Sequence, residues 1–142
     1  MSSNAGHRTC PSLGRCALAG LLAGMAAAIL ANLAHALLSQ ATGLRFRELN
    51  FLSITRASLI ACVLGGLVFY AAARWTKHPV AWFAVAGLLV TTADSLFVML
   101  HPPQPGFDRL ANPLHFIVGL ITIVLLPRLA RGRNSPLIQG DL

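Results

Sequence analysis

The stretch VAWFAVAGLLVTTADSLFVML, residues 80–100, contains a single charged side chain, Asp94. A helix needs about 20 apolar residues to cross the hydrocarbon core of a bilayer. This stretch has that length and is apolar nearly all the way round, whereas a helix of a soluble bundle would show polar stripes. It therefore predicts a transmembrane helix.

Composition extends this prediction to the whole chain. Of the 142 residues, 56% are hydrophobic and 11% are charged, and the mean hydropathy is +0.69. Segments at about 16–38, 54–73, 80–100 and 113–129 are long enough to span a membrane. We therefore expect an all-α, four-helix transmembrane bundle with up-down-up-down topology. It forms one membrane domain over residues 15–131, with flexible tails at 1–14 and 132–142.

The formal charge of +7 reflects basic residues that lie between and beyond the spans. They indicate membrane topology, and we expect no nucleic-acid partner. The side with both termini has seven basic residues, Arg8, Arg15, Arg74, Lys77, Arg128, Arg131 and Arg133, and the other side has four, Arg45, Arg47, Arg56 and Arg109. The positive-inside rule then predicts cytoplasmic termini.

A cleaved signal peptide is an alternative interpretation of the first span. Arg8 and Arg15 precede the apolar run, and the triplet at 34–36 resembles a cleavage site. The chain nevertheless stays apolar to Leu38, as a retained helix would. Cleavage would leave three helices and would remove His35.

Small residues predict how the helices pack. Gly20 and Gly24 form a Gly-x-x-x-Gly motif, and Ala57, Ala61 and Gly65 are spaced four apart in the second span. Small residues let helix backbones approach closely in a membrane. We expect both sets to pack helices within one monomer, with a homo-oligomer through Gly20 and Gly24 as the alternative.

Two loops are predicted to lie at the outer face. Residues 44–52 mix charges with large apolar groups, as a segment in the membrane interface does. Residues 101–106 are stiffened by three prolines. A rigid cap over the outer end of the bundle is expected from them.

Polar or ionisable residues cluster near that end of the spans: Asn32, His35, Arg56, Asp94 and His115. A charged group at mid-bilayer costs about 2.5–3.5 kcal/mol, so such a cluster requires a reason. Asp94 is either paired with Arg56, or protonatable and functional, or bonded to Asn32, Thr91 or Ser95.

The two histidines have a structural interpretation and a functional one. Asn112 and Pro113 resemble a helix N-cap and first position, which would put His115 in the first turn as a neutral imidazole. Hydrogen bonding between helices or at the interface is the favoured role of His35 and His115. Joint ligation of haem or a metal ion is the alternative.

Motifs of known catalysis are absent from the sequence, which has no G-x-S-x-G, H-E-x-x-H, Walker A or C-x-x-C. Its cysteines, Cys10, Cys16 and Cys62, are expected to be free thiols. We expect neither enzymatic activity nor a cofactor.

Two spans resemble those of a known family. The first contains RCALAGLLAG at 15–24, with Asn32 after it, and the fourth contains LHFIVG at 114–119, with Pro127-Arg128-Leu129 at its end. Over about residues 14–131 the chain resembles a bacterial family of small four-helix membrane proteins with no assigned activity. The resemblance implies a multi-pass protein of the bacterial inner membrane.

Three functional hypotheses follow. The first is a structural or partner-binding membrane protein of unknown activity. The second is a small proton- or solute-linked transporter-like protein that uses Asp94 and Arg56. The third is haem or metal binding by His35 and His115.

Overall fold

The computed structural model describes residues 11–131, which form four α-helices. They are α1 (Leu13–Thr42), α2 (Phe51–Trp75), α3 (Pro79–Leu100) and α4 (Phe107–Arg131). Each helix is long and apolar enough to cross a membrane. The predicted all-α four-helix bundle is therefore confirmed, and the chain is a multi-pass membrane protein. The tails lie outside the described residues, apart from 11–14, in which α1 already begins at Leu13.

Local capping explains why α1 and α2 are longer than predicted. The N-cap of α1 is Ser12, and its C-cap is Gly43, whose φ of 71° is the left-handed conformation that favours glycine. The N-cap of α2 is Asn50, which forms reciprocal hydrogen bonds with Ser53 in a capping box. The short loop at 76–78 then leads into Pro79, the first residue of α3.

The predicted start of the fourth helix at Pro113 is wrong. The turn at Gly106, with φ of 80°, lets α4 begin at Phe107, so Asn112 and Pro113 lie inside the helix. The Oδ1 atom of Asn112 is buried without a hydrogen-bond partner, so this side chain is no cap. Proline is tolerated inside membrane helices, and the helix likewise continues past Pro127 to Arg131.

Helix backbones approach closely at the α1–α2 seam, formed by Gly20 and Gly24 of α1 with Cys62 and Gly66 of α2. A Cβ atom at Gly20 would lie 2.6 Å from the backbone oxygen of Cys62, and one at Gly66 would lie 2.5 Å from that of Cys16. Both glycines of the Gly-x-x-x-Gly motif are buried here. They pack α1 against α2 within the monomer, as favoured, and the alternative of an oligomer contact through the same residues gains no support.

The other helices pack less evenly. Helix α4 contacts α1, α2 and α3, and within residues 11–131 α1 and α3 do not touch. Helix α3 buries only Phe83 and Ser95. The ring of Phe83 packs edge to face against Phe69 of α2, with 5.3 Å between centroids. This contact closes the α2–α3 side near the 76–78 loop, and the rest of that side is open.

Candidate functional site

A cavity of about 700 Å³ lies between α2, α3 and α4. That volume is within the usual range of small-molecule sites. The cavity runs along α2 from Ser53 to Val68, about 22 Å at the helical rise. Phe83 lines it near the 76–78 loop, and Glu48 and Phe107 line it at the opposite end, here called the loop end. The site is thus a deep groove within the membrane domain.

Most of the cavity wall is apolar and much of it consists of small residues. Ala57, Ala61 and Gly65 line it, although the sequence predicted that they would pack helices together. Their neighbours Ile60 and Leu64 also line it and remain 58% and 54% exposed, because α2 is not covered by α3 on this face. The groove can therefore be entered from the bilayer.

Asp94 lines the cavity together with His115. The packing of α3 on α4 sets their common depth: Gly119 lies against Thr91, and Gly87 against Ile123. The two helices are antiparallel. Ser95, four residues after Thr91 on α3, is therefore level with His115, four residues before Gly119 on α4. Asp94 is the residue beside Ser95, so it lies at nearly the same depth as His115.

His115 occupies a different environment from the one predicted. Since α4 begins at Phe107, His115 lies in the third turn, about 12 Å along the helix from its first residue. The argument for a neutral imidazole from the positive helix end therefore does not apply, because that field falls off within the first turn. Its Nδ1 atom is buried without a hydrogen-bond partner. The hydrogen-bonding capacity of that nitrogen is therefore not met by any described residue.

The cavity lining is acidic, whereas the protein as a whole is basic. The chain has eleven Lys and Arg and four Asp and Glu, yet two of the four acids, Glu48 and Asp94, line the cavity. No Lys or Arg from the described part of the chain lines it. The ionisable lining residues are therefore these two acids and His115.

The two loops at the loop end form the predicted cap. Gln104 donates from Nε2 to both carboxylate oxygens of Glu48, at 3.2 Å each. The rings of Phe46 and Phe107 pack edge to face with centroids 5.3 Å apart. The side chain of Leu44 lies beside Gly106. These contacts fix Glu48 at the mouth of the cavity.

The remaining members of the predicted polar cluster lie elsewhere. Arg56 is exposed and does not line the cavity, and no ion pair links it to Asp94 within residues 11–131. Its neighbour Ala57 faces the cavity, and a step of one residue turns the side chain by about 100° around the helix. Arg56 therefore lies on a different face of α2.

Asn32 and His35 belong to other contacts. The amide nitrogen of Asn32 donates to the Ala28 carbonyl at 2.8 Å and to the Thr55 hydroxyl at 3.1 Å, which links α1 to α2. The Nε2 atom of His35 is 3.3 Å from the Ser39 hydroxyl, one turn along the same helix. Neither side chain lines the cavity, so the structure brings together only Asp94 and His115 of the five.

Glu48 is the site residue that sequence reasoning missed. Its position in a mixed polar and apolar loop indicated an interfacial segment and contained no signal of a cavity. Only the contacts of the two loops reveal its position.

No group of three or more His, Cys, Asp or Glu side chains is arranged to hold a metal ion among residues 11–131. Cys16 and Cys62 are buried free thiols.

Comparison with known proteins adds no further constraint. No family model matches the chain, and no curated protein and no solved structure is significantly similar to it. The resemblance seen in the sequence therefore identifies no family. The coarser statement, a small four-span membrane protein, rests on the four long apolar helices.

Proposed function

We propose that this protein binds an apolar small molecule within the membrane and that Asp94 and His115 make binding depend on protonation. The observation that supports the proposal is the cavity itself, which is large, mostly apolar and lined by both ionisable residues. It retains the hypothesis of a proton- or solute-linked protein but replaces Arg56 with His115. No catalytic step is part of the proposal.

We also propose that both termini are cytoplasmic and that the protein resides in a bacterial inner membrane. At the ends of the described helices, Arg15, Arg74, Lys77, Arg128 and Arg131 lie on the side of the termini, and Arg45, Arg47, Arg56 and Arg109 lie on the other. The positive-inside rule favours this orientation. The mouth beside Glu48 then faces away from the cytoplasm.

Binding can be tested with a neutral aryl diazirine, an apolar photoprobe, in proteoliposomes. Insertion sites are mapped by mass spectrometry after illumination. We expect labelling of the cavity face of α2 to saturate with probe concentration and to fall several-fold in Ala61→Trp, whose indole would fill the groove. Ala57→Trp is a second filling variant at another lining position.

The matched control is Leu30→Trp, at a residue of α1 that is 48% exposed and outside the cavity. It should leave the saturable labelling unchanged. Labelling of the cavity face that rises linearly with probe, like that of any lipid-facing surface, would overturn the proposal. An unlabelled cavity face in wild type would do so as well, and would favour the structural or partner-binding role with a partner helix in the groove.

Haem or metal binding by His35 and His115 is not proposed. His35 is engaged with Ser39 and does not line the cavity that His115 lines. One imidazole on its own is a weak basis for either ligand.

A further inference from the structure

We propose that the ligand is a lipophilic monocation, with its positive charge beside Asp94 and its apolar body along α2 toward Phe83. This inference rests on the proposed function and specifies the class of ligand.

The first argument is that acids, and no Lys or Arg of the described residues, line the cavity. These acids are Asp94 and Glu48. A carboxylate within a membrane is costly unless it is neutralised or paired. Arg56, the nearest cation along α2, is on another face of the helix. A cationic ligand would supply the missing partner.

The second argument is the distribution of polarity along the groove. Asp94 lies six residues before the end of α3, about 9 Å below the loop end, and Glu48 lies at the mouth. Phe107 adds an aromatic ring at this end, and aromatic rings attract cations. From Ala61 to Val68 the α2 wall is wholly apolar. This polarity matches a molecule with one charged and one apolar end.

The third argument is access. The flank of the groove at Ile60 and Leu64 is exposed toward lipid. A lipophilic cation partitions into the bilayer and can enter from that side, whereas a strongly hydrated ion cannot. A neutral apolar molecule could enter equally well but would leave Asp94 without a counter-charge.

The test is competition against the neutral photoprobe in bilayers of zwitterionic lipid. The competitors are tetraphenylphosphonium and tetraphenylborate, which have nearly the same shape and opposite charges. We expect tetraphenylphosphonium to displace the probe from the cavity face of α2 and to lose at least about tenfold in apparent affinity in Asp94→Asn, equivalent to about 1.4 kcal/mol. Tetraphenylborate should compete no better in wild type than in Asp94→Asn.

Asp108→Asn is the matched control, because Asp108 is an acid of the first turn of α4 that does not line the cavity. It should leave competition by tetraphenylphosphonium unchanged. If Asp94→Asn does not insert, Glu48→Gln tests the same charge at the mouth and should weaken the cation by a smaller factor.

Each outcome separates the two proposals. Saturable labelling, with equal displacement by tetraphenylphosphonium in wild type and Asp94→Asn, would overturn the proposal of a cationic ligand. The proposal of an apolar binding site would be unaffected. Equal losses of tetraphenylphosphonium affinity in Asp94→Asn and Asp108→Asn would indicate a general surface potential. This result would also overturn the proposal of a cationic ligand. Labelling that never saturates removes the site itself.

Discussion

Helix α2 presents two faces of small residues, and only one of them is closed. At the seam with α1, Cys62 and Gly66 meet a helix backbone with no space left for a methyl group. On the opposite flank, Ala57 and Ala61 line an open cavity. Small residues thus permit close approach without causing it. Closure at the seam depends on glycines on both helices, whereas α3 places Phe83 and Asp94 opposite the small residues of α2.

The packing of the two faces can be compared by adding one methyl group to each. In Gly66→Ala the new Cβ would lie 2.5 Å from the backbone oxygen of Cys16, so the helices must move apart. Overpacking of this kind costs about 1–3 kcal/mol of unfolding free energy. The measurement is unfolding by SDS in mixed micelles, followed by circular dichroism.

The matched variants are Gly65→Ala and Gly14→Ala. A Cβ at Gly65 would meet only side-chain atoms, the nearest being Cγ2 of Thr122 at 3.0 Å, and a Cβ at Gly14 would meet nothing within 4 Å. Both should change stability by well under the cost of Gly66→Ala, since the helix propensity of alanine offsets small adjustments. Equal losses at Gly66 and Gly65 would mean that the two faces of α2 are packed alike.

On the open face the expected effect is electrostatic and depends on pH. The titratable groups around the site are Asp94 on α3, His115 on α4 and Glu48 in the loop. Protonation of a carboxylate removes negative charge and protonation of an imidazole adds positive charge, so each of these changes opposes a cation. We therefore expect binding of tetraphenylphosphonium to weaken as the pH falls.

Variants assign the pH effect to residues. Asp94→Asn should bind more weakly at neutral pH and fall less steeply with acidification than wild type, and His115→Gln should retain neutral-pH binding with a shallower fall. Competition against the photoprobe across pH measures both. Binding that tightens on acidification would contradict the sign, and an unchanged profile in Asp94→Asn would exclude this acid as its source.

The spans were predictable because a membrane helix is defined by length and apolar composition, which residues 80–100 display without ambiguity. The start of α4 was not predictable. Asn112 followed by Pro113 is a local signal for a helix start, but the turn at Gly106 and the contacts between the two loops override it. This single error moved His115 from the first turn to the third. It therefore changed the expected electrostatics of the site.

The site was predictable only in part, because side-chain direction depends on how the helices rotate against one another. Asp94 stood out in the sequence as an acid within a span, and it lines the cavity. Arg56 was its expected partner because the two residues were predicted to lie at a similar depth. Ala57 faces the cavity, however, and the side chain of the adjacent Arg56 therefore lies on another face of α2. Glu48 is held at the site by a hydrogen bond from Gln104, which belongs to the other loop and lies 56 positions later in the sequence.

The weakest of these effects concerns a residue that contacts both faces of α2. Thr122 lines the cavity, and its hydroxyl lies 3.0 Å from the Sγ atom of the buried Cys62. The hydroxyl also lies 2.7 Å from the Val118 carbonyl, to which it donates, so the thiol of Cys62 is the donor in the contact between helices. Thr122→Val removes that acceptor and preserves the shape.

Hydrogen bonds between membrane helices contribute about 0.6 kcal/mol on average, so Thr122→Val should lower the unfolding free energy by about that amount. Thr92→Val, on the exposed face of α3, is the control and should have no effect. The same SDS titration measures both. A loss in Thr122→Val as large as that in Gly66→Ala would mean that polar contact across α2, rather than the glycine seam, determines how tightly this helix is held.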